Sequence, residues 1–138
     1  MVRAVVDTNV LVSALINRRK PRTLILKLLE KHTVILSHQM LAELADVLTR
    51  DKFLLKTSQI NTFLANLARK SKIVKSKIVT PTSRFRIIPE DPDDDTVLNT
   101  AYTGKAEYIV TGDKHLLALK EFKRTKIVTV TQMLENLR

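Results

Sequence analysis

Apolar and polar positions fall into short blocks along the chain, and the spacing inside each block predicts an element. Arg3–Val6 is an apolar run that stops at Asp7, which suits a buried strand. From Thr8 to Ile16 the residues Val10, Leu11, Ala14 and Leu15 recur at helical spacing. Pro21 opens a second helix, where a missing N–H is harmless, and Leu24, Ile25, Leu28 and Leu29 share one face of it. Thr33–Leu36 predicts a second strand. Ser37 is placed to cap the next helix, whose stripe is Met40, Leu41, Leu44, Val47 and Leu48. A further helix runs from about Ser58 to Ser71 through Ile60, Phe63, Leu64 and Leu67, and Ile73–Val79 reads as a strand that Pro81 helps to end.

The second half begins with a strong helix start. Asp91 is the cap, Pro92 takes the first helical position, and Asp93, Asp94 and Asp95 meet the positive end of the helix dipole. That helix ends near Gly104. Tyr108–Thr111 is a strand with Gly112 and Asp113 as its exit turn, Lys114–Leu119 a short helix, Ile127–Val130 the last strand and Thr131–Leu137 a terminal helix. Strands alternating with helices predict an α/β fold with a mainly parallel sheet. With no repeat, linker or low-complexity tract, residues 1–138 read as one domain.

Charge changes the picture more than composition does. The net charge is +10, and a field of that sign attracts phosphate backbones. The charge is also segregated. Nine cations and no acid lie between Lys52 and Pro89, whereas Asp91, Asp93, Asp94 and Asp95 crowd together just beyond. Such a chain suits a nucleic acid held by cations and cut at carboxylates. The absence of cysteine excludes disulfides and cysteine-rich zinc sites. Arg3, Asp7 and Asn9 interrupt the apolar start, which is far short of the roughly 20 residues of a membrane span. A soluble cytoplasmic protein with no membrane partner is expected.

In open parallel sheets ligands bind beyond the carboxyl ends of the strands, and Asp7 and Asp113 each follow an apolar strand run. Each also has a bland role available: Asp7 as a helix cap, Asp113 as a turn aspartate. Glu43 falls at the border of its helix's apolar stripe at about 100° per residue, while Asp46 points away from it. Asp94 and Asp95 both flank the inward face of their helix, and periodicity does not separate them. Converging carboxylates repel one another unless a cation joins them, and phosphodiester hydrolysis needs an activated water and charge neutralisation. Mg²⁺ or Mn²⁺ serves both needs through oxygen ligands.

Other chemistries fall away. Gly104 and Gly112 are the only glycines, so no phosphate-binding glycine loop exists. Asp7-Thr8-Asn9 nearly matches the paired-aspartate start of haloacid-dehalogenase phosphatases, but Asn9 replaces the second acid. Ser13 and Ser37 have no evident base. His32 and His38 read as polar surface, and His115 lies two residues after Asp113.

VVDTNVLVSAL, SHQMLAELADVL and DPDDDTVLNTAYTGKAEYIVTGDKHLL together resemble the PIN-domain family, in particular its small toxin ribonucleases of the VapC type. The resemblance covers nearly the whole chain. It implies a three-layer α/β/α fold, and assigns metal binding and catalysis to Asp7, Glu43, Asp95 and Asp113. Counting back from the VTGD strand exit is what favours Asp95 over Asp94. Thr8, Asn9, Ser37, Asp94 and Thr111 become supports for these acids or their water. Many relatives carry Asp where this chain has His115, which leaves position 115 without an assigned role.

The resemblance further implies an RNA substrate, Mg²⁺ or Mn²⁺ as cofactor, a small antitoxin protein as partner, and a homodimer. In the mechanism it implies, water attacks phosphorus in line, the ribose 3′ oxygen leaves, and a 5′ phosphate results. Arg69, Lys70, Lys72, Lys75 and Lys77 are the candidates for holding flanking phosphates. Aromatic residues make up only 4%, so RNA shape or a few polar contacts rather than extensive stacking would set specificity. The rival reading is a catalytically idle RNA-binding domain whose acids only cap helices; a third is a phosphatase of small substrates.

Overall fold

The computed structural model describes residues 1–17, 19–50, 55–74 and 92–138, the side chains of 92–94 excepted. In chain order the elements are β1 (Arg3–Val6), α1 (Thr8–Ile16), α2 (Lys20–Lys31), β2 (Thr33–Ser37), α3 (His38–Arg50) and α4 (Thr57–Lys70). They continue with β3 (Lys72–Val74), α5 (Pro92–Gly104), β4 (Tyr108–Val110), α6 (Lys114–Leu119), β5 (Glu121–Phe122), β6 (Thr125–Val128) and α7 (Val130–Asn136). The expected N-cap Asp91 and the later part of the predicted Ile73–Val79 strand lie outside the described residues.

The described strands form one sheet in the order β3-β2-β1-β4-β6-β5. Five of them run parallel, and only β5 is antiparallel, at the edge against β6. The mainly parallel α/β sheet expected from the sequence is therefore present. Right-handed crossovers place helices on opposite faces when the direction of strand addition reverses. Accordingly α1, α2 and α7 pack together, while α5 lies across β1 to β4 and α6 against β6.

The sheet interior explains the apolar strand runs. Ala4, Val5, Val6, Val34, Ile35, Leu36, Ile109 and Val110 are fully buried because helices cover both faces. The helical stripes meet them: Leu24 and Leu28 from α2, Met40, Leu44 and Leu48 from α3, Leu67 from α4 and Leu98 from α5 are all buried. Gly104 is where α5 comes nearest to β2. A Cβ there would lie 2.6 Å from Ile35 Cγ2, the stiff branch of a fully buried side chain. Glycine is thus required by close packing.

Several details depart from the sequence reading. The last strand is Thr125–Val128, two residues earlier than expected at each end. Thr125 belongs to it because its buried hydroxyl donates to Ala106 O at 2.8 Å, a polar residue paid for by a partner. Thr129 then caps α7 in a reciprocal box with Gln132. The two-residue β5 was not expected at all. His32 is more than polar surface: its Nδ1 accepts the Val2 N–H at 2.9 Å and ties the start of β1 to that of β2. Arg22 donates to the carbonyls of Ala14 (2.8 Å) and Leu15, satisfying the open end of α1. No helix among the described residues is long and apolar enough to cross a membrane.

Candidate functional site

The chain moves outward from β1 through β2 to β3, and in the opposite direction from β4 to β6. The connections leaving β1 and β4 therefore diverge, and the carboxyl ends of this central pair are where open α/β sheets bind ligands. Asp7 and Asp113 flank that reversal.

Asp7 directly follows β1. Its N–H donates to Val110 O at 3.0 Å, and its carbonyl accepts from Val10 and Leu11 at 3.0 and 3.1 Å to start α1. Yet its side chain makes no cap bond to α1, so the bland reading of this residue fails. Instead Oδ2 accepts a hydrogen bond from Thr111 Oγ1 at 2.7 Å. Both residues are buried, Asp7 at 7% and Thr111 at 1% exposure. The same Thr111 oxygen accepts the Asp113 N–H at 3.0 Å. One hydroxyl thus gives its proton to the first acid and its lone pair to the backbone of the other.

Asp113 does serve as a cap. Its Oδ1 accepts the N–H groups of His115 and Leu116 at 2.7 and 3.2 Å, which starts α6. Both cap bonds fall on Oδ1, so the cap does not use Oδ2. The His115 ring is exposed, with Nδ1 3.9 Å from Asp113 Oδ1.

Asp95 and Glu43 are carried on helices, α5 and α3. From Gly104, at the amino end of the strands, back to Asp95 is about 14 Å at a 1.5 Å rise, close to the length of a four-residue strand. Asp95 is 8% exposed, in the first turns of α5, and Asn99 Nδ2 donates to its carbonyl at 2.8 Å. Glu43 is half-buried beside the buried Met40 and Leu44, at the stripe border its angle predicted. Asp46 lies on the exposed face of α3 and pairs with Arg50 Nη1 at 3.3 Å. Among the described residues, no group of three or more His, Cys, Asp or Glu side chains is arranged to hold a metal ion.

The supporting candidates take different positions. Ser37 is fully buried and its Oγ accepts the Met40 N–H at 3.2 Å, so its hydroxyl caps α3. Thr8 is 3% exposed, and its Oγ1 is buried without a hydrogen-bond partner, immediately after Asp7. Asn9 is exposed and, with Ser13, Thr111, Gly112 and Thr129, lines a cavity of about 310 Å³. The Asp94 side chain, Lys75 and Lys77 lie outside the described residues. Arg69, Lys70 and Lys72 are exposed where α4 turns into β3, toward the amino ends of the strands and away from Asp7.

A PIN-domain family model matches residues 3–115, a span that includes Asp7, Glu43, Asp95 and Asp113. The chain belongs to the PIN-domain family, whose members are in the main nucleases dependent on divalent metals. It is 32% identical over 127 residues to the uncharacterised protein MJ1680 of Methanocaldococcus jannaschii, covering 87% of this chain and 76% of that one. Two crystal structures share the fold at 19% identity. VapBC2 of Rickettsia felis, bound to a DNA fragment from its promoter, matches with a TM-score of 0.65 over 92% of this chain and 98% of that chain. PAE2754 of Pyrobaculum aerophilum matches with a TM-score of 0.66 over 99% and 89%.

Proposed function

We propose that the chain is an endoribonuclease whose Asp7, Glu43, Asp95 and Asp113 would close around Mg²⁺ or Mn²⁺ on binding, because as they stand no three of them are arranged to hold an ion. The observation that carries this reading is the Thr111 hydroxyl, which joins the two strand-end acids at the reversal of the sheet. The Asp7 carboxylate is buried, takes a hydrogen bond from Thr111 and does not cap α1, so it is held at the strand end for another purpose. The donor set is all oxygen, as hard cations require. The buried Thr8 hydroxyl without a protein partner offers a further oxygen beside Asp7, one that a hydrated ion would satisfy.

When bound, such a cation lowers the pKa of a water and offsets charge building on the phosphate. The protein's own part is orientation. Thr111 fixes which oxygen of Asp7 is engaged, and the α6 cap fixes the Asp113 carboxylate. Water adds to phosphorus, the P–O3′ bond breaks, and the products are a 5′ phosphate and a free 3′ hydroxyl. The net charge of +10 favours a polyanionic substrate over a small phosphate ester. This is the observation against the phosphatase reading.

The fold shared with VapBC2, together with the family, supports a toxin whose small antitoxin partner occludes the acids. An arginine inserted by that partner would bind the carboxylates bidentately. A homodimer and a cytoplasmic location belong to the same reading. Expression in the native host tests it. Wild type and Asp94→Asn should arrest growth and degrade RNA, a co-expressed neighbouring small protein should relieve the arrest, and Asp95→Asn should be harmless. Full toxicity of Asp95→Asn with loss in Asp94→Asn would transfer the third acid to Asp94.

A further inference from the structure

The end of the sheet opposite the acids is basic at every parallel strand. Arg3 opens β1, Lys31 precedes β2, Lys70 precedes β3, Lys105 precedes β4, and Lys123 and Arg124 precede β6. At a strand spacing of about 4.8 Å this row is roughly 19 Å long. The acids at this end are fewer. Glu30 is the penultimate residue of α2, the Glu107 carboxylate accepts the Arg3 N–H at 3.1 Å, and Glu121 lies opposite Lys126 in the hairpin.

The simplest account of these cations is that they complement helix dipoles, because α2, α4 and α5 all end here. Arg3 does so directly, through a 2.6 Å bond from Nη2 to Gly104 O. Three helix ends carry only about half a negative charge each. Six cations set against these ends, Glu30 and Glu107 leave about two to three positive charges over.

Three of the six, Lys105, Lys123 and Arg124, line a cavity of about 740 Å³ between the end of α5 and the β5–β6 turn, with Tyr102 and Glu107 also on its wall. Tyr102 is 48% exposed there, an aromatic ring in a chain that has few. Lys105 and Lys123 hold φ of 54° and 57°. This is the left-handed region, where glycine or asparagine is less strained, and both turns place lysine in it on the cavity wall. An aromatic ring and several cations lining one cavity is a combination that holds single-stranded nucleic acid, the ring stacking a base and the cations meeting its phosphates.

We infer that this cavity is an RNA-binding exosite, separate from the acids, which grips the substrate strand away from the cleaved bond. The inference rests on the ribonuclease reading for its ligand, and the test separates the two. Tyr102→Trp supplies the chain's only tryptophan, and Asp7→Asn in the same protein prevents cleavage. Titration with a 12-nucleotide oligoadenylate should quench its fluorescence. Adding Lys105→Asn, Lys123→Asn and Arg124→Gln keeps side chains tolerated at positive φ. It should weaken binding about ten-fold or more at 0.1 M salt and flatten the salt slope by about 2, at 0.7 per phosphate contact. Lys105→Arg, Lys123→Arg and Arg124→Lys should restore both. No quenching, with affinity and slope unchanged in the neutralised protein, would overturn the exosite even if the wild type cleaves RNA. Quenching that the neutralised protein loses, with no cleavage by the wild type, would keep the exosite and overturn the nuclease.

Discussion

Thr111→Val should lower RNA cleavage by about 10- to 100-fold, the usual loss when a group that orients a metal-binding carboxylate is removed. Valine matches the shape of threonine but deletes the oxygen that donates to Asp7 Oδ2 at 2.7 Å and accepts from the Asp113 N–H at 3.0 Å. Two buried or half-buried polar groups each lose a partner, so stability should also fall, by about 1–3 kcal/mol. Thr111→Ser restores the oxygen and should recover most of both quantities. A thermal melt beside the cleavage assay separates the two effects. If Thr111→Val is destabilised but fully active at a temperature where it is folded, Thr111 is only a packing and turn residue.

Asp113 lets a structural and a chemical role be pulled apart in one position. Asparagine caps helices about as well as aspartate, so Asp113→Asn should keep the bonds to His115 and Leu116 and leave stability near that of the wild type. Removing the negative charge should still reduce cleavage by two orders of magnitude or more, because an amide is a poor substitute for a carboxylate at a cation. Asp113→Ala should show the same loss of activity together with about 1 kcal/mol of destabilisation from the missing cap. Activity that tracks stability through both variants would reduce Asp113 to its capping role.

Much of the framework was legible in the chain because burial imposes simple periods. Leu44 falls at the centre of its helical stripe, Met40 to one side and Glu43 at the border, and the structure buries the first two and half-buries Glu43. The strand runs before Asp7 and Gly112 were legible because a parallel sheet covered on both faces leaves no polar alternation to obscure them. Strand order was not legible: that β1 and β4 are neighbours at the reversal is a long-range fact, recorded in the pairing of Val5 with Ile109. Polar residues with buried partners were misread for the same reason. Thr125 falls outside the predicted strand although its hydroxyl donates to Ala106 O, and His32 reads as polar surface although its ring accepts the Val2 N–H. The box formed by Thr129 and Gln132 was a readable signal at a spacing of three and would have corrected the end of β6. Which of Asp94 and Asp95 acts could not come from periodicity, because both flank one face of one helix.

Whether the strand-end acids hold a cation needed for RNA cleavage is decided by one assay. Wild type and Asp7→Asn, shown to melt alike, are incubated with single-stranded RNA in chelator and then with added Mg²⁺ or Mn²⁺, and the product ends are analysed. The expected result is cleavage by the wild type only with the cation, 5′-phosphate ends, and no cleavage by Asp7→Asn in either condition. Equal cleavage by Asp7→Asn, or full wild-type cleavage in chelator, would contradict it.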